Sequence, residues 1–278
     1  MNSKRVFGRV ARYGLLGALC LIFAFPLLWM VSYSLRSVAL PPPVRLEFFA
    51  PPIAFENYAR VLGVLPLLQY MGNSLKVVAL AVPLTVLFAS WTGFALAQVS
   101  RRVRVPLLAL SVALLLVPAP ALWVPRFLLF AQLGWIYTFA PLIAPALMGT
   151  SPFYAIMFYI AFARIPLDLY ESARLDGAHP LTVWYALALP LARPTLVAVT
   201  LLSAVAYWSN FVDPLLYLRS EANYTLPVGV QILEQAIKAN WPLLMAGAVL
   251  MAAPVVLLFG FTQRLFLQGQ DSLVRWLR

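Results

Sequence analysis

The sequence predicts an all-α membrane protein with six transmembrane helices, and three observations carry that prediction. The 278 residues are 63% hydrophobic and only 10% charged, with a mean hydropathy of +0.88, whereas an ordinary soluble domain is about 45–50% apolar. Long charge-free stretches recur along the chain. Apolar residues do not alternate at period two over ten-residue segments, which argues against a barrel and leaves helices as the spanning solution. The composition likewise excludes a soluble enzyme, a disordered tail and a disulfide scaffold, since Cys20 is the single cysteine.

The charge-free stretches locate the spans. At 1.5 Å per residue, about 20 residues cross a hydrocarbon core of roughly 30 Å. Residues 13–35, between Arg12 and Arg36, make the first span. An external segment, 36–69, follows, opened by Pro41-Pro42-Pro43 and Pro51-Pro52, which force extended chain. Within it, 55–62 reads as a short amphipathic helix at the membrane interface. The second span is 71–100. From Val105 to Ala163 the only charge is Arg126, and the stretch is too long for one helix. Gln132-Leu133-Gly134 and Pro141 divide it into spans 105–130 and 139–163. Spans five and six are 194–217 and 240–263, leaving 267–278 as a C-terminal segment, and 70–266 forms one core. Pro83, Pro118, Pro120, Pro125 and Pro254 mark candidate hinges.

The net charge of +11 could suggest nucleic acid, but its distribution reads as orientation. Six spans place both termini on one side. That side holds thirteen basic residues: Lys4, Arg5, Arg9, Arg12, Arg101, Arg102, Arg104, Arg164, Arg174, Arg193, Arg264, Arg275 and Arg278. The other side holds five, Arg36, Arg45, Arg60, Arg219 and Lys238, over longer loops. Positive charge marks the cytoplasmic side, so residues 1–12 and the C-terminus are expected there. The first apolar run exceeds a signal-peptide core and lacks a small-x-small cleavage site, so it reads as an uncleaved anchor.

The cytoplasmic loop 164–193 is the informative one. It holds Asp168, Glu171 and Asp176, three of the nine acidic residues, and the only histidine. Ile165-Pro166 ends the fourth span, and Asp168 is placed to cap a helix from Leu169 to Asp176. Gly177 breaks that helix, and His179-Pro180 starts a second. Leu181, Trp184, Leu187 and Ala188 recur at helical spacing, and Leu189-Pro190 and Arg193-Pro194 close it. The apolar residues of this helix–turn–helix need a protein surface to cover them.

The run Glu171-Ser172-Ala173-Arg174-Leu175-Asp176-Gly177 resembles the EAA loop of ABC-importer membrane subunits. That pattern is Glu-Ala-Ala, three residues, Gly, nine residues, Ile, one residue and Leu-Pro. Counting on from Gly177 brings Leu187 and then Leu189-Pro190 into register, with Ser172 and Leu187 as conservative departures. Asn73-Ser74-Leu75-Lys76-Val77 and Tyr224-Thr225-Leu226-Pro227-Val228-Gly229 look like further parts of the same core. From about residue 56 to 270 the chain resembles the shorter, six-span subunit of the maltose-type carbohydrate permeases. The resemblance implies a type I ABC importer (MetI-like) permease bundle in the bacterial inner membrane. It implies that Glu171, Ala173, Leu175, Asp176, Gly177, Ala178, Leu189 and Pro190 form a coupling segment docking on a separate ATPase. The partners implied are a second related permease, two ATP-binding cassette subunits, an extracytoplasmic solute-binding protein and a sugar. ATP and Mg would be held by the ATPase subunits, with no cofactor on this chain.

The residue inventory agrees with a chain that does no chemistry of its own. Lys4, Lys76 and Lys238 follow Ser3, Leu75 and Ile237, so no Gly-Lys-Ser/Thr phosphate loop exists. One histidine and one cysteine far apart supply no metal cluster, and His179 reads as a cap. An uncharged pathway suits a neutral, polyhydroxylated substrate. Asn73 and Ser74 on span two, with Tyr207, Trp208, Ser209 and Asn210 on span five, are its candidate contacts, since aromatic faces stack on sugar rings and amides bond hydroxyls. The alternatives are a permease for a non-sugar solute and a secondary carrier; the aromatic residues could equally be interface-belt residues.

Overall fold

The computed structural model describes residues 3–40, 45, 47–237 and 240–276, with the side chains of 11–262 within that range. Pro41-Pro42-Pro43 and Lys238 lie outside the described residues, as do the side chains of Lys4, Arg5, Arg9, Arg264, Arg275 and Arg278. The chain forms two compact units, residues 1–68 with 229–253, and residues 69–228 with 254–278.

In the first unit, α1 (Ser3–Ser34) runs as one helix with Leu21, Ile22 and Phe23 more than half exposed. Its end is fixed by polar groups. The Asn57 Nδ2 donates to the carbonyls of Ser34 and Arg36 at 2.8 Å each, and the Ser34 and Tyr58 hydroxyls lie 2.7 Å apart. Arg36 pairs with Glu47 at 3.1 Å. Asn57 and Tyr58 sit on α2 (Glu56–Val64), the short helix of the external segment. Asn57 and Val61 on that helix are fully buried, so one face packs on protein rather than lying free at an interface.

The second unit contains most of α3 (Leu67–Gln98), then α4 (Arg101–Leu115) and α5 (Ala119–Gln132). The third predicted span is not straight: α4 and α5 meet at 94°. Pro118 and Pro120 explain the break, because neither supplies the N–H that would continue the ladder. Pro83, Pro125 and Pro254 instead sit inside unbroken helices, so of the five candidate hinges only Pro118 and Pro120 lie at a bend.

The fourth span, Ala140–Phe162, is α6 (Ala140–Ile143), a 3-10 turn (Ala144–Met148) and α7 (Pro152–Phe162). Gly149 and Thr150 interrupt it with φ of 69° and 62°. The loop helices α8 (Leu167–Leu175), α9 (Pro180–Thr182) and α10 (Leu189–Leu191) come next, α9 and α10 joined by a π-helical stretch, Val183–Ala188.

Then α11 (Arg193–Trp208) turns away from Pro180–Leu191 by 86°. Its 16 residues give about 24 Å, short of a hydrocarbon core of roughly 30 Å. The predicted fifth span therefore ends early, and Val212–Tyr217 forms a separate α12. Asn210 stops the helix by accepting a bond from the Asp213 N–H at 3.3 Å with its own side chain. Next come α13 (Leu226–Ile237) and α14 (Trp241–Trp276), the latter helical beyond the predicted sixth span. Among the described residues four helices are long and apolar enough to cross a membrane, and counting each bent pair as one span gives up to six.

Helix packing in the second unit turns on glycine. A Cβ on Gly93 would lie 2.5 Å from the Phe158 Cβ and 2.7 Å from the Tyr159 nitrogen, so α3 and α7 touch backbone to backbone. Small residues permit such approaches in lipid. Gly93→Val is expected to lower stability by about 1–3 kcal/mol through overpacking, read as a fall in melting temperature in detergent. Gly72→Ala, in the same helix with nothing within 4 Å of the new Cβ, serves as the control. Equal melting temperatures for the two variants would remove the close-contact account.

Candidate functional site

The loop 164–193 is a helix–turn–helix built against the ends of α3 and α7. Pro166, in extended conformation, precedes α8, and Asp168 lies inside the first turn without a capping bond. The expected Asp168 cap is thus corrected: the helix starts two residues earlier because Pro166 sets its entry. Asp168 still stands favourably at the positive end of the helix dipole, and Arg174 at the negative end.

Gly177 ends α8 with φ of 76°. Its N–H donates to Arg174 at 3.0 Å, and the Ala178 N–H reaches back to Ala173 at 3.0 Å. Both bonds together form a Schellman turn, which needs the left-handed residue that glycine supplies. The His179 Nδ1 accepts from the Leu181 N–H at 3.3 Å, so the histidine caps the second helix. Leu189-Pro190 does not close that helix. The π stretch, in which the Leu189 N–H reaches Trp184, widens the turn ahead of Pro190 and lets the helix run on to Leu191.

Inward and outward faces separate cleanly. Tyr170 is 3% exposed and donates its hydroxyl to the Phe162 carbonyl at 3.1 Å. Burial pushes this phenol up to about 12, so it remains a donor at neutral pH. Trp184 meets Trp91 edge-on at 5.7 Å, and Arg174 bonds the Gln98 side chain. Ala173, Ala178, Leu187 and Leu189 pack against the same core, formed by Phe158, Phe162, Val183 and Val199. Ala173 and Ala178 therefore turn toward their own bundle, because they share the face of Tyr170, and do not stand on the outer face. Glu171, Leu175, Asp176, Gly177 and Pro190 are exposed, Leu175 at 89%. Asp176 stands at the C-cap of α8 and bonds it through its backbone N–H, and among the described residues neither the Glu171 nor the Asp176 side chain makes a capping bond.

The six candidate pathway residues do not converge on one site: the Ser209 hydroxyl donates to the Val205 carbonyl at 2.7 Å, and the others divide among three clusters. Asn73 donates to the carbonyls of Ala222 and Tyr224 at 2.8 and 3.0 Å, and the Ser74 hydroxyl accepts from the Leu226 N–H at 2.9 Å. Both anchor the 219–226 segment, which commits the polar groups expected to meet substrate. The buried Tyr207 hydroxyl lies 2.7 Å from that of Thr150 and 3.4 Å from that of Thr85, and Trp208 beside it is buried. Asn210 holds Asp213 through a 2.9 Å bond to Oδ2.

Asp213 in turn faces Arg126 at 3.5 Å, with the side chains 18% and 29% exposed. The guanidinium lies 5.9 Å from the Phe130 and Tyr217 ring centres. The sequence leaves Arg126 as a lone charge in its stretch, with no partner assigned to it. The signal was present: each is a lone charge in an apolar stretch, and charges in such places usually find each other. Among the described residues no cluster of His, Cys, Asp or Glu could hold a metal.

Residues 81–271 match the family described as binding-protein-dependent transport system inner membrane component. The chain belongs to this family. It is a permease subunit of an ATP-driven, binding-protein-dependent importer. It is 31% identical over 252 residues to the arabinooligosaccharides transport system permease protein of Halalkalibacterium halodurans, covering 89% of each chain. To the lactose transport system permease protein of Rhizobium radiobacter it is 25% identical, covering 98% of each. To the trehalose/maltose transport system permease protein of Thermococcus litoralis it is 28% identical, covering 90% of this chain and 91% of that one. A crystal structure of a bacterial ABC transporter involved in import of the acidic polysaccharide alginate shares the fold, with a TM-score of 0.75 at 24% identity over 96% of this permease and 98% of that chain.

For this permease the Arg126–Asp213 pair is the ion pair found among the described residues of the second unit. Arg126→Ala and Asp213→Ala are each expected to destabilise the subunit, and the double variant by less than the sum. A coupling of about 0.5–3 kcal/mol is expected for contacting residues, measured as a double-mutant cycle on thermal unfolding. Strict additivity would show that the two charges do not interact.

Proposed function

We propose that this permease carries a sugar across the bacterial cytoplasmic membrane, with both termini in the cytoplasm and loop 164–193 docking on a separate ATPase. The observation that carries the sugar reading is likeness along nearly the whole chain to permeases named for arabinooligosaccharides, lactose and trehalose/maltose. Docking is supported by the geometry of the loop. Its inner face is bonded to the bundle, while Glu171, Leu175, Asp176 and Gly177 stand together on the outer tip. An apolar side chain as exposed as Leu175, flanked by two acids, suits a groove with an apolar floor and basic edges.

In this reading the permease works with a second, related permease, two ATP-binding cassette subunits and an extracytoplasmic solute-binding protein. ATP and Mg are held by the ATPases, and this chain contributes no hydrolytic site. Closure of the ATPases pushes on α8, and the Schellman turn keeps α8 and the second loop helix in fixed relation. Force then passes through Tyr170, Trp184 and Arg174 to the ends of α3 and α7. The lone charges Arg126 and Asp213 are neutralised by each other, leaving a bundle compatible with an uncharged cargo.

Leu175→Asp is expected to abolish ATPase co-purification and to cut uptake at least tenfold while the permease melts as the wild type does, because the side chain touches little of its own chain. Gly177→Asp should behave similarly with a small added backbone strain. Normal uptake and co-purification in both would refute the docking reading. A reporter fused after Arg278 is expected to be active only as a cytoplasmic reporter; an external signal would overturn the topology.

A further inference from the structure

In the first unit, the end of α13 and the start of α14 enclose an open-sided cavity of about 190 Å³, lined by Glu234, Ile237, Asn240, Trp241 and Leu244. We propose that this cavity is a subsite for one uncharged saccharide ring, a place where the cargo meets this subunit outside the spans. The proposal rests on the sugar reading above and adds a location and a preference to it.

Four features converge. The Asn240 Oδ1 is buried and has no hydrogen-bond partner among the described residues. Such a group loses about 1–3 kcal/mol of solvation unless something bonds it. The Asn240 backbone is already committed: its N–H donates to Ile237 at 3.2 Å and its carbonyl accepts from Leu244 at 3.1 Å. That leaves the Oδ1 available to a ligand.

The Glu234 carboxylate forms no ion pair among the described residues and is a second acceptor. Trp241 is 50% exposed and offers an indole face, while Ile237 and Leu244 supply an apolar wall. The ligand that satisfies all of these has donor hydroxyls on its edge and an aliphatic C–H face on its flat side. A pyranose or furanose ring has both. At about 190 Å³ the cavity is on the scale of one ring rather than a chain of them.

Charge narrows the class. Beside Glu234 a ring bearing a carboxylate is disfavoured against the neutral ring, with the one nearby basic residue in the sequence, Lys238, outside the described residues. An organic cation would welcome the carboxylate, but cages for quaternary ammonium groups use several aromatic faces, and this cavity has one. With both termini in the cytoplasm, the α13–α14 junction lies at the outer end of the last span, where cargo leaving a binding protein first arrives.

The test uses the assembled complex in nanodiscs, without the solute-binding protein, and saturation-transfer NMR with maltose, lactose, an arabinotriose, an alginate trisaccharide and choline. At least one neutral sugar is expected to receive saturation from the wild-type complex, while the alginate trisaccharide and choline give at least tenfold less. Trp241→Ala and Glu234→Gln are each expected to reduce the neutral-sugar signal at least fivefold, and Trp241→Phe to retain most of it. Glu234→Gln is further expected to raise the alginate signal relative to the neutral sugar. Gly63→Ala, which meets nothing within 4 Å, controls for handling, and melting curves exclude misfolding.

A neutral-sugar signal that survives both Trp241→Ala and Glu234→Gln overturns the subsite and leaves the sugar reading standing. If choline alone responds, the site is cationic and the proposal fails. If no sugar binds and none stimulates the ATPase with binding protein added, the sugar reading falls and the subsite with it. Loss of stimulation by binding protein in these variants, with no sugar signal in the wild type, marks a protein contact instead and also overturns the proposal.

Discussion

In hydrocarbon a backbone N–H or C=O has no water to bond, so every departure from helix must be answered from within the protein. That constraint organises this permease. Where the fourth span breaks at Gly149-Thr150, the Thr150 N–H reaches Pro145 at 2.8 Å and its hydroxyl joins those of Thr85 and Tyr207. Where α11 stops at Trp208, the Asn210 side chain bonds the Asp213 backbone and carboxylate. The 219–226 segment is held by Asn73 and Ser74. The polar residues scattered through an apolar chain are, in large part, the answers to breaks in its own backbone.

This view changes how buried polarity is read. A buried asparagine or tyrosine in a transporter invites a role in cargo recognition, yet Asn73, Ser74 and Tyr207 are each bonded to their own chain. The Arg126–Asp213 pair follows the same rule with charge. Each ion alone would be costly at its depth, and the pair neutralises both charges, although the Arg126 Nη2 and the Tyr217 hydroxyl keep no hydrogen-bond partner among the described residues. Asn240 likewise retains an unsatisfied atom, as Asn57, Thr225 and Tyr217 do, and what sets it apart is its place in an open-sided cavity beside an exposed tryptophan.

Local signals were legible in the sequence and distant pairings were not. Gly177, His179 and Pro118 declare themselves because the turn, cap and break they cause are set by the residues beside them. The six apolar stretches are readable from charge alone. Asn73 and Ala222 stand 149 positions apart, and no pattern in either neighbourhood announces the other. The inward turn of Ala173 and Ala178 was hidden for a related reason: alanine fits equally on either face of a loop helix, and only the burial of Tyr170 decides. The early end of α11 was missed because uncharged residues 209–212 satisfy a hydropathy count while Asn210 diverts the backbone.

The close approach at Gly93 has a mechanical meaning. Phe158 sits against one point of α3, and the Gly149 backbone rests on Ala89 one turn away, where an added Cβ would come within 3.2 Å. Two such points of contact leave no clearance for α3 and the fourth span to slide past each other. In the docking reading, a displacement arriving at the loop tip would turn α3 and α7 together rather than slide one along the other.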